Sequence, residues 1–172
     1  MQKLVNDVGR GQGQMGEAVP KILWRISNHL DLSGEGGRKF NGRWHTSGSG
    51  IVYLAESPMA ALVETLVHLN VDSEDTPDFY TLLKISVPEG LSVLTLDPPD
   101  GSEWKQDLEL TRRMGDAWLA SRETPLARVP SVIAPQTWNY LLNPEHPDAK
   151  QVKVEEVIRE QFDNRLFRFG AR

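Results

Sequence analysis

Cysteine, long apolar runs and an excess of basic residues are all missing from this sequence. The 172 residues include no cysteine, which excludes disulfides, thiolate metal ligands and a cysteine nucleophile, and which is compatible with a reducing cytoplasm. No segment approaches the roughly 18 apolar residues of a membrane span, and the N-terminus lacks the apolar core of a signal peptide. The formal net charge of −5 provides no overall basic footprint for nucleic acid. We therefore expect a cytoplasmic protein that binds neither membrane nor nucleic acid directly.

Several well-known site motifs are missing as well. The chain has no Gly-Lys-Ser/Thr phosphate loop and no His-Glu-x-x-His motif. The stretch GRGQGQMG (9–16) is rich in glycine, but it lacks the preceding strand and clear following helix of a dinucleotide-binding loop. The histidines do not have metal-ligand spacing, so we expect no metal site; they are His29, His45, His68 and His146.

What is present is a mixture of strand and helix patterns in a chain that is long enough for one domain. Residues 1–18 are rich in Gly and Gln and are expected to form a flexible arm. The absence of a regular βαβ rhythm favours an α+β domain with a mixed β core and flanking helices over a doubly wound sheet. Strands are predicted at 21–27, 50–55, 79–88, 91–96, 127–135 and 165–170, helices at 57–70 and 104–121, and loops at 31–44 and 137–149, while 152–162 fits either a strand or a helix.

The helix that begins near Ser57 carries the first candidate for chemistry. Ser57 suits an N-cap and Pro58 suits the first turn. At about 100° per residue, one arc is apolar and predicts the core face, formed by Met59, Leu62, Val63 and Leu66. Glu64 falls on the other side with Ala61, Thr65 and His68, so periodicity alone predicts a solvated carboxylate.

Other polar residues interrupt apolar patterns. Arg25 lies within a predicted strand, where a charge either extends to water or has an anionic partner. Arg43 closes the glycine-rich loop, Tyr53 ends the strand that precedes the helix, and Ser131 interrupts another apolar strand. Each also has a structural interpretation, as an edge charge, a loop charge, a packed tyrosine or a hydrogen-bonded serine. Residue by residue, the structural interpretation is favoured.

Three blocks together are more specific. They are LWRIS (23–27), GRKFNGRWHTSGSGIVYLAESPMAALVETLVHL (37–69) and RVPSVIAPQTWNYLLNPEHPD (128–148). This arrangement resembles the RES domain family of bacterial toxins, which are usually encoded beside an Xre-type antitoxin. The resemblance covers roughly residues 21–169 and implies a RES domain at 19–172 with a fold similar to that of ADP-ribosyltransferase toxins. It also implies NAD as a substrate, with no bound cofactor, and an antitoxin as a protein partner; a homodimer is plausible for the family.

The resemblance implies a set of site residues. Glu64, Arg25 and Ser131 match the family's catalytic positions. Arg25 and Ser131 are also expected to bind NAD, together with Arg43, Tyr53 and Asn139. The implied reaction is cleavage of the nicotinamide–ribose bond, with ADP-ribose passing to water, phosphate or a protein. Nicotinamide leaves NAD as a neutral ring, so one carboxylate beside the oxocarbenium-like transition state is sufficient.

Two other functions stay open. One is a mono-ADP-ribosyltransferase that modifies a cytosolic protein, such as a metabolic enzyme. The other is a catalytically silent protein-interaction module. The joint presence of Arg25, Tyr53, Glu64 and Ser131 argues against the silent module. No residue of the sequence identifies the acceptor of ADP-ribose.

Overall fold

The strands form a single mixed sheet in the computed structural model, which describes residues 22–69 and 77–170. The strand order is β4-β5-β6-β2-β1-β3-β7; β4 and β5 are parallel, and the other neighbouring pairs are antiparallel. The predicted α+β class is therefore confirmed, whereas the predicted arm at 1–18 lies outside the described residues. The strands are β1 (Ile22–Ile26), β2 (Val52–Ala55), β3 (Phe79–Ser86), β4 (Val93–Thr95), β5 (Leu126–Pro130), β6 (Trp138–Leu142) and β7 (Lys153–Gln161).

Three α-helices accompany the sheet in the described part of the chain: α1 (Glu35–Lys39), α2 (Pro58–Leu66) and α3 (Leu108–Ser121). Ser57 caps α2 as predicted, because its side chain accepts the backbone N–H of Ala60 at 3.1 Å. Asp107 caps α3 in the same way. Short 3₁₀ segments lie at Glu103–Lys105, Pro147–Gln151 and Asn164–Gly170.

Strands β1 and β2 have the shortest pairing between neighbouring strands of the sheet. These strands share one register pair, Trp24 with Ala55, whereas β1 and β3 are paired along all of Ile22–Ile26. Two halves, β4-β5-β6-β2 and β1-β3-β7, therefore meet at a single point, and the strands are unpaired on either side of it.

Alternation along the strands divides the core between the two faces of the sheet. One face packs around residues such as Leu23, Leu54 and Leu83. The other face carries α2 and α3. Ala61 of α2 packs near Ala55 and Leu82, and Trp118 of α3 packs in a cluster with Trp44, Ala127, Val129 and Leu141.

Three local predictions are wrong. The predicted loop at 137–149 contains the central strand β6. Prolines near this segment indicated a loop, but its Trp, Tyr and Leu side chains favour a strand. The predicted strand at 165–170 is a 3₁₀ segment, because Asp163 accepts the backbone N–H groups of Arg165 and Leu166 and so starts a helical turn. The predicted loop at 31–44 contains α1. The ambiguous segment at 152–162 contains strand β7.

Candidate active site

Helix α2 packs on the sheet through Ala61, which lies outside the apolar arc that its periodicity predicts to be the core face. Ala61 is 5% exposed and is the residue of α2 that becomes buried, whereas Met59, from the predicted core arc, is 67% exposed. A small side chain lets the helix lie close to the sheet, and this brings the neighbouring positions Glu64 and Thr65 inward. The prediction therefore fails only in part: Glu64 and Thr65 of the predicted solvated side are half-buried, as are Leu62, Val63 and Leu66 of the predicted core arc, while His68 is exposed as predicted.

Glu64 meets two polar side chains from neighbouring strands. The Ser131 hydroxyl donates to Glu64 Oε1 at 2.9 Å, and the Asn139 amide Nδ2 donates to the same oxygen at 2.7 Å. Ser131 directly follows β5, and Asn139 lies in β6 between Val129 and Ala55. Three of the residues predicted from the sequence are thus brought together by α2 and two adjacent strands.

The hydrogen bonds of Ser131 are fully used. Its Oγ accepts the backbone N–H groups of Ile133 at 3.2 Å and Ala134 at 3.1 Å, while its proton is directed to Glu64. A hydroxyl has one donor and two acceptor sites, so all of them are occupied. The backbone N–H of Ser131 also closes the following turn by donating to Thr137. This serine is therefore built to hold the Glu64 carboxylate in one orientation.

Asn139 is held less completely. Its Oδ1 is buried and has no hydrogen-bond partner among the described residues. Such an atom costs roughly 1–3 kcal/mol relative to a hydrated one. The donor that Asn139 presents to Glu64 therefore comes at a cost in stability.

The charge of Glu64 has no cationic partner in residues 22–69 and 77–170. The donors to Oε1 are neutral, and none of the described groups donates to Oε2. A carboxylate accepts several hydrogen bonds, so Oε2 is available to a ligand. A fixed negative charge with only neutral partners is well suited to stabilising a positive charge that develops nearby.

Arg25 lies in different surroundings. It alternates along β1 with Trp24, which packs on the α2 face, so Arg25 projects from the opposite face. Its Nη1 donates to the backbone oxygen of Asp31 at 3.2 Å. Burial lowers the pKa of the Arg25 guanidinium, and the Asp31 charge acts in the opposite direction. The Asp31 carboxylate thus supplies the expected negative charge near Arg25, but the hydrogen bond of the guanidinium goes to the backbone carbonyl of Asp31.

A cavity of about 230 Å³ adjoins Arg25. Its other lining residues come from the segment after β1 and from α1 and its N-cap: His29, Asp31, Ser33, Gly34, Glu35, Gly36 and Lys39. No described hydrogen bond joins a residue of this cavity to Glu64. The residues around Arg25 and the residues around Glu64 therefore form two separate polar groups. The unpaired stretch beyond Trp24–Ala55 lies between Arg25 on β1 and Tyr53 and Leu54 on β2.

Tyr53 is tied to the segment that follows α1. Its hydroxyl oxygen accepts the backbone N–H of Trp44 at 3.1 Å and lies 2.9 Å from His45 Nδ1. His45 Nε2 lies 3.1 Å from the carbonyl of Gly37 and must donate to it, so in the neutral ring Nδ1 accepts the Tyr53 proton. Burial raises the pKa of Tyr53. The hydroxyl is therefore committed within the protein, and the ring packs beside His45 at 5.7 Å between ring centroids and against the cluster around Trp44.

Arg43 is also anchored, by the 3₁₀ segment Glu103–Lys105 and by α3. Its Nη1 donates to the carbonyl of Lys105 at 2.9 Å, and its own carbonyl accepts the hydroxyl of Thr111 at 2.8 Å. Arg112 and Asp116 of α3 hold the flanking residues by bonds to Gly42 and Thr46. Sequence reasoning missed these supports, because no pattern in the sequence linked α3 to residues 42–46.

Comparison with known proteins places the chain in a family. The RES domain model matches residues 22–164, so this protein belongs to the RES domain family. It is 46% identical over 148 residues to "Toxin Res" of Pseudomonas putida KT2440, covering 85% of this chain and 99% of that protein. It is 39% identical over 157 residues to the "Prs ADP-ribosylating toxin" of Sphingobium sp. YBL2, covering 85% and 96%. A "Toxin Res" of Photorhabdus laumondii is 34% identical over 153 residues, covering 84% and 96%.

Among the described residues, no helix is long and apolar enough to cross a membrane. The same residues contain no group of three or more His, Asp or Glu side chains that can hold a metal ion.

Proposed function

We propose that this RES domain protein is the toxin of a toxin–antitoxin system and that it cleaves NAD at the nicotinamide–ribose bond. ADP-ribose then passes to water, phosphate or a protein. The observation that carries the proposal is the carboxylate of Glu64, which two neutral donors orient and no described cation neutralises.

The chemistry of that carboxylate matches the reaction. As the bond from ribose to the cationic nicotinamide breaks, the ring leaves neutral and positive charge moves to the ribose. Glu64 Oε2 is the group that stabilises this charge or accepts a ribose hydroxyl. Ser131 and Asn139 act through Glu64, by holding Oε1 so that the carboxylate needs little reorganisation during the reaction.

The remaining residues support binding. In the proposal, Arg25 holds the NAD diphosphate in the cavity, because a guanidinium has several fixed donors and few of those of Arg25 are used. Tyr53 offers its ring at the opening between β1 and β2, and NAD passes through this opening towards Glu64. Arg43 adds positive charge from the segment that α3 supports.

The second candidate is mono-ADP-ribosylation of a cytosolic protein, such as a metabolic enzyme. A specific observation favours it, since the Sphingobium relative carries the name of an ADP-ribosylating toxin. The two candidates share the cleavage step and differ in the acceptor. The silent interaction module receives little support, because Glu64 and Ser131 are both present and hydrogen-bonded to one another, in a chain that also keeps Arg25 and Tyr53.

An Xre-type antitoxin is the proposed protein partner. The net charge of −5 leaves operator binding to that partner. Tight binding of the isolated protein to its own promoter DNA at physiological salt would contradict this division of roles.

Labelled NAD tests the reaction. Purified protein is incubated with NAD labelled in the adenylate part, with and without phosphate, and with and without cell lysate. A labelled small molecule indicates hydrolysis or phosphorolysis, and a labelled protein band indicates transfer. The absence of any nicotinamide release under all conditions would refute the proposed activity.

A further inference from the structure

His45 is a buried polar side chain to which the proposed function gives no role. It is 2% exposed, and both of its ring nitrogens have hydrogen-bond partners. Nδ1 lies 2.9 Å from the hydroxyl oxygen of Tyr53 in β2, and Nε2 lies 3.1 Å from the carbonyl of Gly37 in α1. One imidazole ring therefore joins the strand that carries Tyr53 to the helix that follows β1.

The backbone around His45 holds a third part of the site. The carbonyl of His45 accepts the N–H of Gly42 at 3.0 Å and so closes the turn that contains Arg43. The N–H of Trp44 donates to the same Tyr53 hydroxyl at 3.1 Å. The turn with Arg43 is thus fixed relative to Tyr53 through His45 and the residue before it.

Close packing fixes the imidazole as firmly as its hydrogen bonds do. A Cβ atom at position 42 would lie 2.6 Å from His45 Nδ1 and would also meet the Tyr53 hydroxyl, and one at position 37 would lie 3.0 Å from Nε2. Glycine at both positions therefore lets two backbone segments lie against the ring. The chain leaves the imidazole no room for another orientation without moving these segments.

Helix α1 connects His45 to the cavity beside Arg25. Gly36 and Lys39 of α1 line that cavity, and Gly37 lies between them in the same helix. The hydrogen bond from His45 to Gly37 therefore sets the position of this cavity wall relative to β2.

The Glu64 carboxylate is held independently of this arrangement. Its donors are Ser131 and Asn139, and neither of them is hydrogen-bonded to His45 among the described contacts. A change at His45 therefore leaves both donors to the carboxylate in place.

We propose that His45 is a positioning residue for NAD binding, whose side chain keeps Tyr53 and the α1 wall of the cavity in one fixed arrangement. This inference rests on the proposed function, in which Tyr53 and the cavity bind NAD. His45 acts through these groups and does not contact the substrate itself. Because Glu64 is held separately, loss of the imidazole weakens NAD binding and spares the chemical step, whereas loss of the Glu64 charge does the reverse.

Three substitutions separate the two hydrogen bonds of the ring. His45→Asn keeps an acceptor near Nδ1 for the Tyr53 hydroxyl, His45→Gln keeps a donor near Nε2 for the Gly37 carbonyl, and His45→Phe fills the space without either bond. Thr124→Val is the matched control, because the Thr124 hydroxyl is also buried and hydrogen-bonded, to Trp118 at 3.0 Å and to the Leu126 carbonyl at 2.7 Å, away from the site residues.

NAD affinity is titrated in the Glu64→Gln background, where NAD is not consumed, and KM and kcat are measured by nicotinamide release with Glu64 intact. His45→Phe is expected to weaken NAD affinity and to raise KM by roughly two- to tenfold, as for the loss of one neutral hydrogen bond, with kcat nearly unchanged. His45→Asn and His45→Gln are expected to show smaller losses. Thr124→Val is expected to lower Tm and to leave KM and kcat as in the wild type.

A double-mutant cycle tests the route through the Tyr53 hydroxyl. His45→Gln is expected to weaken NAD binding when Tyr53 is present and to add little in the Tyr53→Phe background, because the bond that it loses is already absent there.

Unchanged NAD affinity and KM in a folded His45→Phe protein overturn the inference. So does a loss confined to kcat, or an additive effect of His45→Gln and Tyr53→Phe. If none of the three His45 variants folds, His45 is needed for folding itself, and the inference is wrong as well.

Failure of this inference differs from failure of the proposed function. NAD cleavage with the same KM in the His45 variants leaves the function standing and removes the positioning role. NAD binding that depends on His45 and Tyr53, in a protein that releases no nicotinamide, supports the positioning role and refutes the function. A wild-type protein that does not bind NAD overturns the inference.

Discussion

Glu64→Gln changes one atom of the side chain and removes its charge. The carboxamide oxygen can still accept the Ser131 and Asn139 donors that now meet at Oε1. The new NH₂ group takes the place of Oε2, to which no described group donates. The arrangement of α2 against β5 and β6 is therefore expected to persist in the variant.

The structure sets the expected cost in stability. A hydrogen bond to a charged acceptor contributes about 1.5–3 kcal/mol and one to a neutral acceptor about 0.5–1.5 kcal/mol. The two bonds to Oε1 therefore weaken, but the half-buried carboxylate no longer has to be desolvated, which offsets part of the loss. We expect the free energy of unfolding to change by about 1–2 kcal/mol or less, equivalent to roughly 2–8 °C in Tm.

The expected cost in rate is larger. Removal of one well-placed electrostatic group commonly lowers kcat by about 10²–10³. NAD affinity is expected to fall much less, because Arg25, Tyr53 and the cavity supply most of the proposed binding. The variant is therefore expected to fold, to bind NAD and to lose its toxicity to a host cell.

The assay combines nicotinamide release, NAD titration and thermal melting on the same preparation. Glu109→Gln is the matched control, because Glu109 lies on α3 with its side chain 90% exposed and pairs with Arg113 at 3.8 Å. The control is expected to retain turnover and to change stability by about 0.5 kcal/mol or less. Near-wild-type turnover in Glu64→Gln would remove this carboxylate from the mechanism.

Three other substitutions test the surrounding residues. Arg25→Lys keeps the charge but loses the planar fork, so NAD binding measured by calorimetry should weaken on the order of tenfold; unchanged affinity would make Arg25 a structural strand residue. Asn139→Ala removes one donor to Glu64 together with the partnerless Oδ1, so turnover should fall about tenfold while urea unfolding changes by about 1 kcal/mol or less; a large loss of stability with full activity would contradict this. Tyr53 has a pKa raised above its ordinary value of 10.0, so its contribution to stability is complete below that pH and is lost as the pH rises above it. The Tm measured from about pH 8 to 11 should therefore decline more steeply for the wild type than for Tyr53→Phe. A parallel decline in the two proteins would contradict the raised pKa of the buried Tyr53 hydroxyl.

Local chemistry in the sequence determined much of the scaffold. The cap at Ser57 with Pro58 marked the start of α2, and alternation or β-branched runs marked most of the strands. The family resemblance selected Glu64, Ser131 and Asn139 from two distant parts of the chain, and these side chains meet in the structure. Short sequence motifs can identify residues that share a site even when the fold of the chain between those residues is unknown.

The tertiary structure alone decided which side of α2 faces inward and what surrounds each site residue. Periodicity assigns the core face to the apolar arc around Met59, yet Met59 is exposed, Ala61 from the other side is the buried residue of α2, and two donors hold Glu64 half-buried. Periodicity measures only the contrast between two sides of a helix. It contains no information about the donors Ser131, directly after β5, and Asn139 in β6, and these partners make burial of a carboxylate tolerable.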